Sequence, residues 1–140
     1  MSTNTTYDVH GLINPDWPDH PVTGRYADTF WLPRLGPAAT ALLRWITYQP
    51  DHKANISLVE LSTVLGLSRG TASTRSLERS IDRLRNHGLA RLNATTLELS
   101  LTVPTLSARQ LQPLDERTKA LHTRLLEGPN QYGRSQRLFT

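Results

Sequence analysis

The sequence contains no cysteine, which removes a disulfide framework, a thiolate metal site and a cysteine nucleophile together. Its apolar runs are only a few residues long, far short of the ~20 residues a membrane helix needs. Residues 1–14 are polar and lack both a basic n-region and an apolar h-region. Signal-directed secretion is therefore not expected, a reducing cytoplasm is the expected location, and an N-x-S/T triplet such as Asn93-Ala94-Thr95 is read as chance. Phosphate loops of the G-x-x-x-x-G-K-S/T and G-x-G-x-x-G kinds are absent, as is a G-x-S-x-G nucleophile elbow. No catalytic set, cofactor site or metal site is expected. His10, His87 and His122 have no paired spacing, and the metal-capable stretch Asp16-Trp17-Pro18-Asp19-His20 lies in a proline-rich loop.

Lysine is also scarce. Only Lys53 and Lys119 interrupt a basic complement of 16 that is otherwise arginine. Arginine suits bidentate contacts with phosphate and guanine, but it also accumulates through codon usage in GC-rich genomes, so the bias alone carries little weight. What is present is a chain of 140 residues, enough for one domain with a true core, at a mean hydropathy of −0.43.

Net charge is +4 and the isoelectric point is near 10.0, and both conceal an uneven distribution. Residues 1–30 hold four aspartates against Arg25. Residues 69–91 hold six arginines against Glu78 and Asp82, and residues 104–140 hold six basic groups against three acidic ones. An acidic head on a basic body points to an anionic partner, and nucleic acid is the commonest for a small protein.

Periodicity divides the chain into an irregular acidic N-terminal segment (1–28), a folded domain (29–127) and a disordered basic tail (128–140). Pro15, Pro18, Pro21, Gly11 and Gly24 break up the first segment, although Tyr7, Ile13, Trp17, Val22 and Tyr26 lie within it. A helix is expected from Pro37 to Tyr48, and a second begins at the capping box Ser57-Leu58-Val59-Glu60 and ends at Gly66. A third is expected from about Thr74 to His87, with Leu77, Ile81 and Leu84 on one face and Gly88 as its stop. Leu89–Leu92 and Leu97–Val103 read as a hairpin, the second strand alternating leucine or valine with polar residues. A second capping box, Ser107-Ala108-Arg109-Gln110, opens a helical region to Glu127 with a bend at Pro113. Its stripe of Leu114, Thr118, Leu121 and Leu125 reads as core first and as a homodimer seam second.

Leu58-Val59-Glu60-Leu61-Ser62-Thr63-Val64-Leu65-Gly66-Leu67-Ser68 resembles the first half of bacterial helix-turn-helix proteins, with Ser62 at a position usually held by alanine. Leu77-x-x-x-Ile81-x-x-Leu84-x-x-x-Gly88-Leu89 is similar to the helix-into-hairpin pattern of winged-helix repressors. With Phe30-Trp31-Leu32-Pro33 and Leu35-Gly36-Pro37 ahead of it, residues 26–125 resemble small, mostly uncharacterised actinobacterial winged-helix proteins. The resemblance implies a mainly α fold with a small β-hairpin, a winged helix-turn-helix with an added C-terminal helix. One departure is the long stretch between Leu67 and Leu77, where a tight motif has a turn of about three or four residues.

On a wheel of about 100° per residue, Arg75, Arg79 and Asn86 lie roughly opposite Leu77, with Arg83 flanking them. This outward stripe suits the major groove, where arginine grips guanine or phosphate and asparagine pairs with adenine. Asp82 lies beside the stripe, within reach of Arg75 or Arg79. The expected partner is double-stranded DNA, and the expected role is transcriptional regulation without enzymatic activity. The expected contact set is Arg69, Thr71, Ser73, Arg75, Ser76, Arg79, Arg83, Asn86 and Arg91, with Arg85 as a further phosphate contact. The alternative is a protein-interaction module that captures a protein partner through residues 1–28.

Overall fold

The computed structural model describes residues 5–67 and 74–127. The chain divides into two compact units, 1–105 and 106–140.

The first unit is built on a four-stranded mixed sheet. Its strands are β1 (Thr6–Leu12), β2 (Lys53–Ser57), β3 (Ala90–Asn93) and β4 (Thr96–Ser100), in the order β2-β1-β4-β3. β1 runs antiparallel to β2 and parallel to β4, while β3 and β4 form an antiparallel hairpin. The described residues are 51% helical and 20% strand, which corrects the expected mainly α fold with a small hairpin. The correction has a local cause. β1 contributes only Tyr7 and Val9 to the core, and β2 only the half-buried Ala54 and Ile56, so each carries two alternations between polar neighbours.

The same strand corrects the expectation that residues 1–28 are irregular. Val9 lies fully buried between its register partners Ala54 and Leu97. Beyond β1 the chain returns beside the end of β4. Val22 N–H donates to the Leu101 carbonyl and Val103 N–H to the His20 carbonyl. The expected strand to Val103 ends at Ser100, and beyond it Leu101 and Val103 stay buried together with Thr102, so the alternation does not persist there.

One sheet face carries Tyr7, Val9, Ala54, Ile56, Ala90, Leu92, Leu97 and Leu99, and helices cover it. A π-helical turn, Ala27–Trp31, runs into α1 (Leu32–Leu35). Pro33 explains the wide turn: it has no N–H to give and its ring crowds the carbonyl four residues back. Leu32 N–H instead reaches the Ala27 carbonyl. Gly36 then adopts φ 84°, which a side chain disfavours, and Pro37 opens α2 (Pro37–Thr47). α2 buries Leu42, Leu43 and Ile46. In α3 (Leu58–Val64), Ser57 accepts the Glu60 N–H as an N-cap. α4 (Arg75–Asn86) buries Leu77, Ile81 and Leu84 completely. Removing any one of the three to alanine costs about 2–5 kcal/mol.

In the second unit the Ser107/Gln110 capping box is present in both directions at the start of α5 (Ala108–Leu111). α6 (Glu116–Glu127) follows, and Asp115 accepts the Thr118 N–H at its start. That bond holds the Asp115 carboxyl below its usual range. Leu114, Thr118, Leu121 and Leu125 form a half-buried stripe. The expected tail, 128–140, lies outside the described residues.

His20 stacks on Tyr26 with ring centroids 3.9 Å apart and shares a 2.7 Å hydrogen bond with the Thr105 hydroxyl. Burial lowers its pKa below the ordinary 6.5, with Asp19 pulling the other way. The unfolded chain therefore binds this proton first as pH falls. The stabilisation is complete above about pH 6.5 and is lost as pH drops through and below that value. Urea denaturation should give lower stability at about pH 5 than at about pH 7.5, and His20→Gln should flatten that slope. An unchanged slope in the variant would remove His20 from this role.

Candidate nucleic-acid interface

α4 places its side chains according to which of them the core accepts. With Leu77, Ile81 and Leu84 at zero exposure, Arg75, Ser76, Arg79 and Asn86 are turned to solvent. Arg75 to Asn86 spans about 16 Å of helix axis at the usual rise per residue. Thr74 donates its hydroxyl to Glu78 at 3.3 Å in the first turn. Among the described residues neither Arg75 nor Arg79 has a carboxylate partner.

The remaining arginines are committed in different ways. Asp82 pairs with Arg85 at 3.5 Å and not with Arg75 or Arg79, and both partners are exposed, so the pair adds little stability. Arg83 reaches across to the turn before α2, where its Nη1 donates to the Leu35 carbonyl at 2.9 Å. A side-chain carbon on Gly36 would lie 2.9 Å from that nitrogen. Gly36 is favoured by its positive φ, whereas the guanidinium, at the end of a flexible side chain, can shift to make room. Arg83 thus ties α4 to the α1–α2 junction through one nitrogen while its side chain stays exposed, so part of its donor capacity serves the fold.

Arg91 is separated from the stripe. It lies opposite Glu98 in the β3–β4 register and alternates with Ala90 and Leu92, which puts it on the sheet face away from the helices. There a row runs Lys53, His10, Glu98, Arg91 across the four strands. A shallow cleft of about 360 Å³ opens on this side, lined among others by Ile13, Trp17, Arg91 and Glu98. Arg69, Thr71 and Ser73, the rest of the expected contact set, lie outside the described residues.

Two basic groups near α4 lie outside the expected contact set. Arg34, on α1, has its guanidinium 5.6 Å from the centre of the Trp31 ring. His87, the C-cap of α4, meets the same indole edge-on at 5.7 Å. Neither has a motif. The available signal was their position, one just before the Gly36 turn and one just before the Gly88 stop.

Among the described residues no group of three histidine or acidic side chains could hold a metal, and no helix is long and apolar enough to cross a membrane. Comparison with known proteins finds no matching family model, no matching curated protein and no matching solved structure.

The two kinds of arginine on α4 separate experimentally. Arg79→Ala should leave the urea midpoint unchanged within about 0.5 kcal/mol, as for an open surface position. Arg83→Ala should lower stability by about 1.5–3 kcal/mol, the value of a hydrogen bond from a charged donor. Equal midpoints for the two variants would contradict the assignment.

Proposed function

We propose that this protein binds double-stranded DNA through the outer face of α4 and acts as a transcriptional regulator. The observation that carries the reading is the exposed Arg75–Arg79–Asn86 stripe, held outward by a fully buried apolar face and free of carboxylate partners among the described residues. A helix of ~10–12 Å diameter fits a major groove about 12 Å wide. Arg75 and Arg79 have the donors to grip guanine edges or phosphates, and Asn86 can pair with adenine. The basic total of the chain supplies the long-range attraction.

The alternative, partner capture by residues 1–28, is weakened because β1 is a central strand, with Asp8, Val9 and His10 paired on both sides and its ends on one. A strand in that position has no free edge to offer along its middle.

Selection from a randomised duplex pool with the intact protein should enrich a defined site. Arg79→Ala should weaken binding to that site by about 1–3 kcal/mol and relax the preference at one position. An Arg75/Arg79 double alanine variant that keeps its fold and its full affinity would overturn the reading.

A further inference from the structure

Two cationic or potentially cationic groups flank one buried indole, and a third is anchored on the turn beside it. Trp31 is 2% exposed and is fixed by its Nε1–H, which donates to the Pro104 carbonyl at 2.8 Å. Arg34 lies over its ring and His87 against its edge. Arg83 is anchored at the carbonyl of Leu35, the residue next to Arg34. Two separate elements, α1 and α4, thus bring these side chains together.

This concentration of positive charge is uncompensated within the described residues. Neither Arg34 nor Arg83 has a carboxylate partner there. The Arg34 Nε is covered by the protein and meets no acceptor. The side chain is held by packing on the indole and not by a hydrogen bond, so its guanidinium remains uncommitted. The carbonyl end of α4 contributes only roughly half a negative charge, and its last carbonyls already accept the His87 N–H. Two guanidiniums outweigh it.

We propose that Arg34, Arg83 and His87 form a phosphate-binding site at the junction of α1 and α4, gripping the DNA backbone beside the groove that α4 reads. The inference deepens the DNA-binding reading and rests on it for the source of the phosphate. Arginine matches a phosphate with two parallel N–H bonds, and a protonated imidazole adds a third donor. The chemistry selects a phosphodiester or phosphate oxygen.

The site is linked to protons. Burial, Arg34 from α1 and Arg83 from its own helix, in that order, all hold the His87 imidazole below 6.5. Among the described residues no carboxylate opposes them. A phosphate set among these groups offsets both guanidinium charges and favours the imidazolium. Binding then takes up a proton, and affinity rises as pH falls toward the lowered midpoint of the free imidazole.

The test follows the His87 ring resonances of the full-length protein through a pH titration. The protein is titrated alone, with inorganic phosphate and with a saturating duplex, in wild type and in Arg34→Ala. The expected result is a higher His87 midpoint with duplex and a loss of that rise in Arg34→Ala. The variant should also lower the salt slope of duplex binding by about one. A rise with phosphate alone, in a protein that binds no duplex, supports the site while the DNA reading fails. Duplex binding that is weakened by Arg79→Ala but leaves the His87 midpoint unmoved overturns the site while the DNA reading stands. No rise with either ligand also overturns the site.

Discussion

The burial of one face of α4 is the constraint on which the rest depends. Leu77, Ile81 and Leu84 have no exposed surface, and each contributes about 1.5–3 kcal/mol by leaving water. That burial fixes the rotation of the helix about its own axis. Once the rotation is fixed, the opposite side chains have no choice of direction. Arg75, Arg79 and Asn86 present one polar stripe because three aliphatic residues occupy the core. The sheet is what makes the core deep enough: Val9 and Leu97 occupy its two central strands, and the helices lie across them.

Electrostatics sorts the arginines into separate tasks. Arg44 pairs with Asp28 and Arg85 with Asp82, so their charge is partly met within the protein. Arg83 stitches α4 to the Leu35–Gly36 turn. Arg91 faces Glu98 on the far side of the sheet. Arg75 and Arg79 remain on the open face of α4, with Arg34 beside the indole of Trp31. A count of arginines along residues 69–91 overstates the interface, because a guanidinium can serve the fold as readily as a ligand.

Helices with strong local signals were legible in the sequence. Pro37 and Tyr48 bracket α2, Ser57 caps α3, the leucine spacing defines α4, and the Ser107/Gln110 capping box opens α5. The β3–β4 hairpin was also legible, since its strands alternate over several residues. β1 and β2 were not, and their absence made the fold look mainly α. Thr6–Leu12 and Lys53–Ser57 do alternate, but with only two inward apolar side chains each, and Tyr7 and Val9 gain their meaning only when β2 and β4 flank β1. Pairing between residues about 45 and 90 positions apart leaves no mark on local periodicity. The stripe on α4 was visible because it is local. The Arg83 anchor and the Trp31 cluster were not, because they join α4 to a turn far away in the chain.

The central claim is that the open face of α4 engages nucleic-acid phosphates and base edges. The most direct measurement is the affinity of the intact protein for a random-sequence duplex across a salt series. The account predicts a steep, linear loss of affinity with the logarithm of salt concentration, corresponding to about four or more neutralised phosphates at a slope of about −0.9 for each. Weak binding that does not change with salt would contradict it.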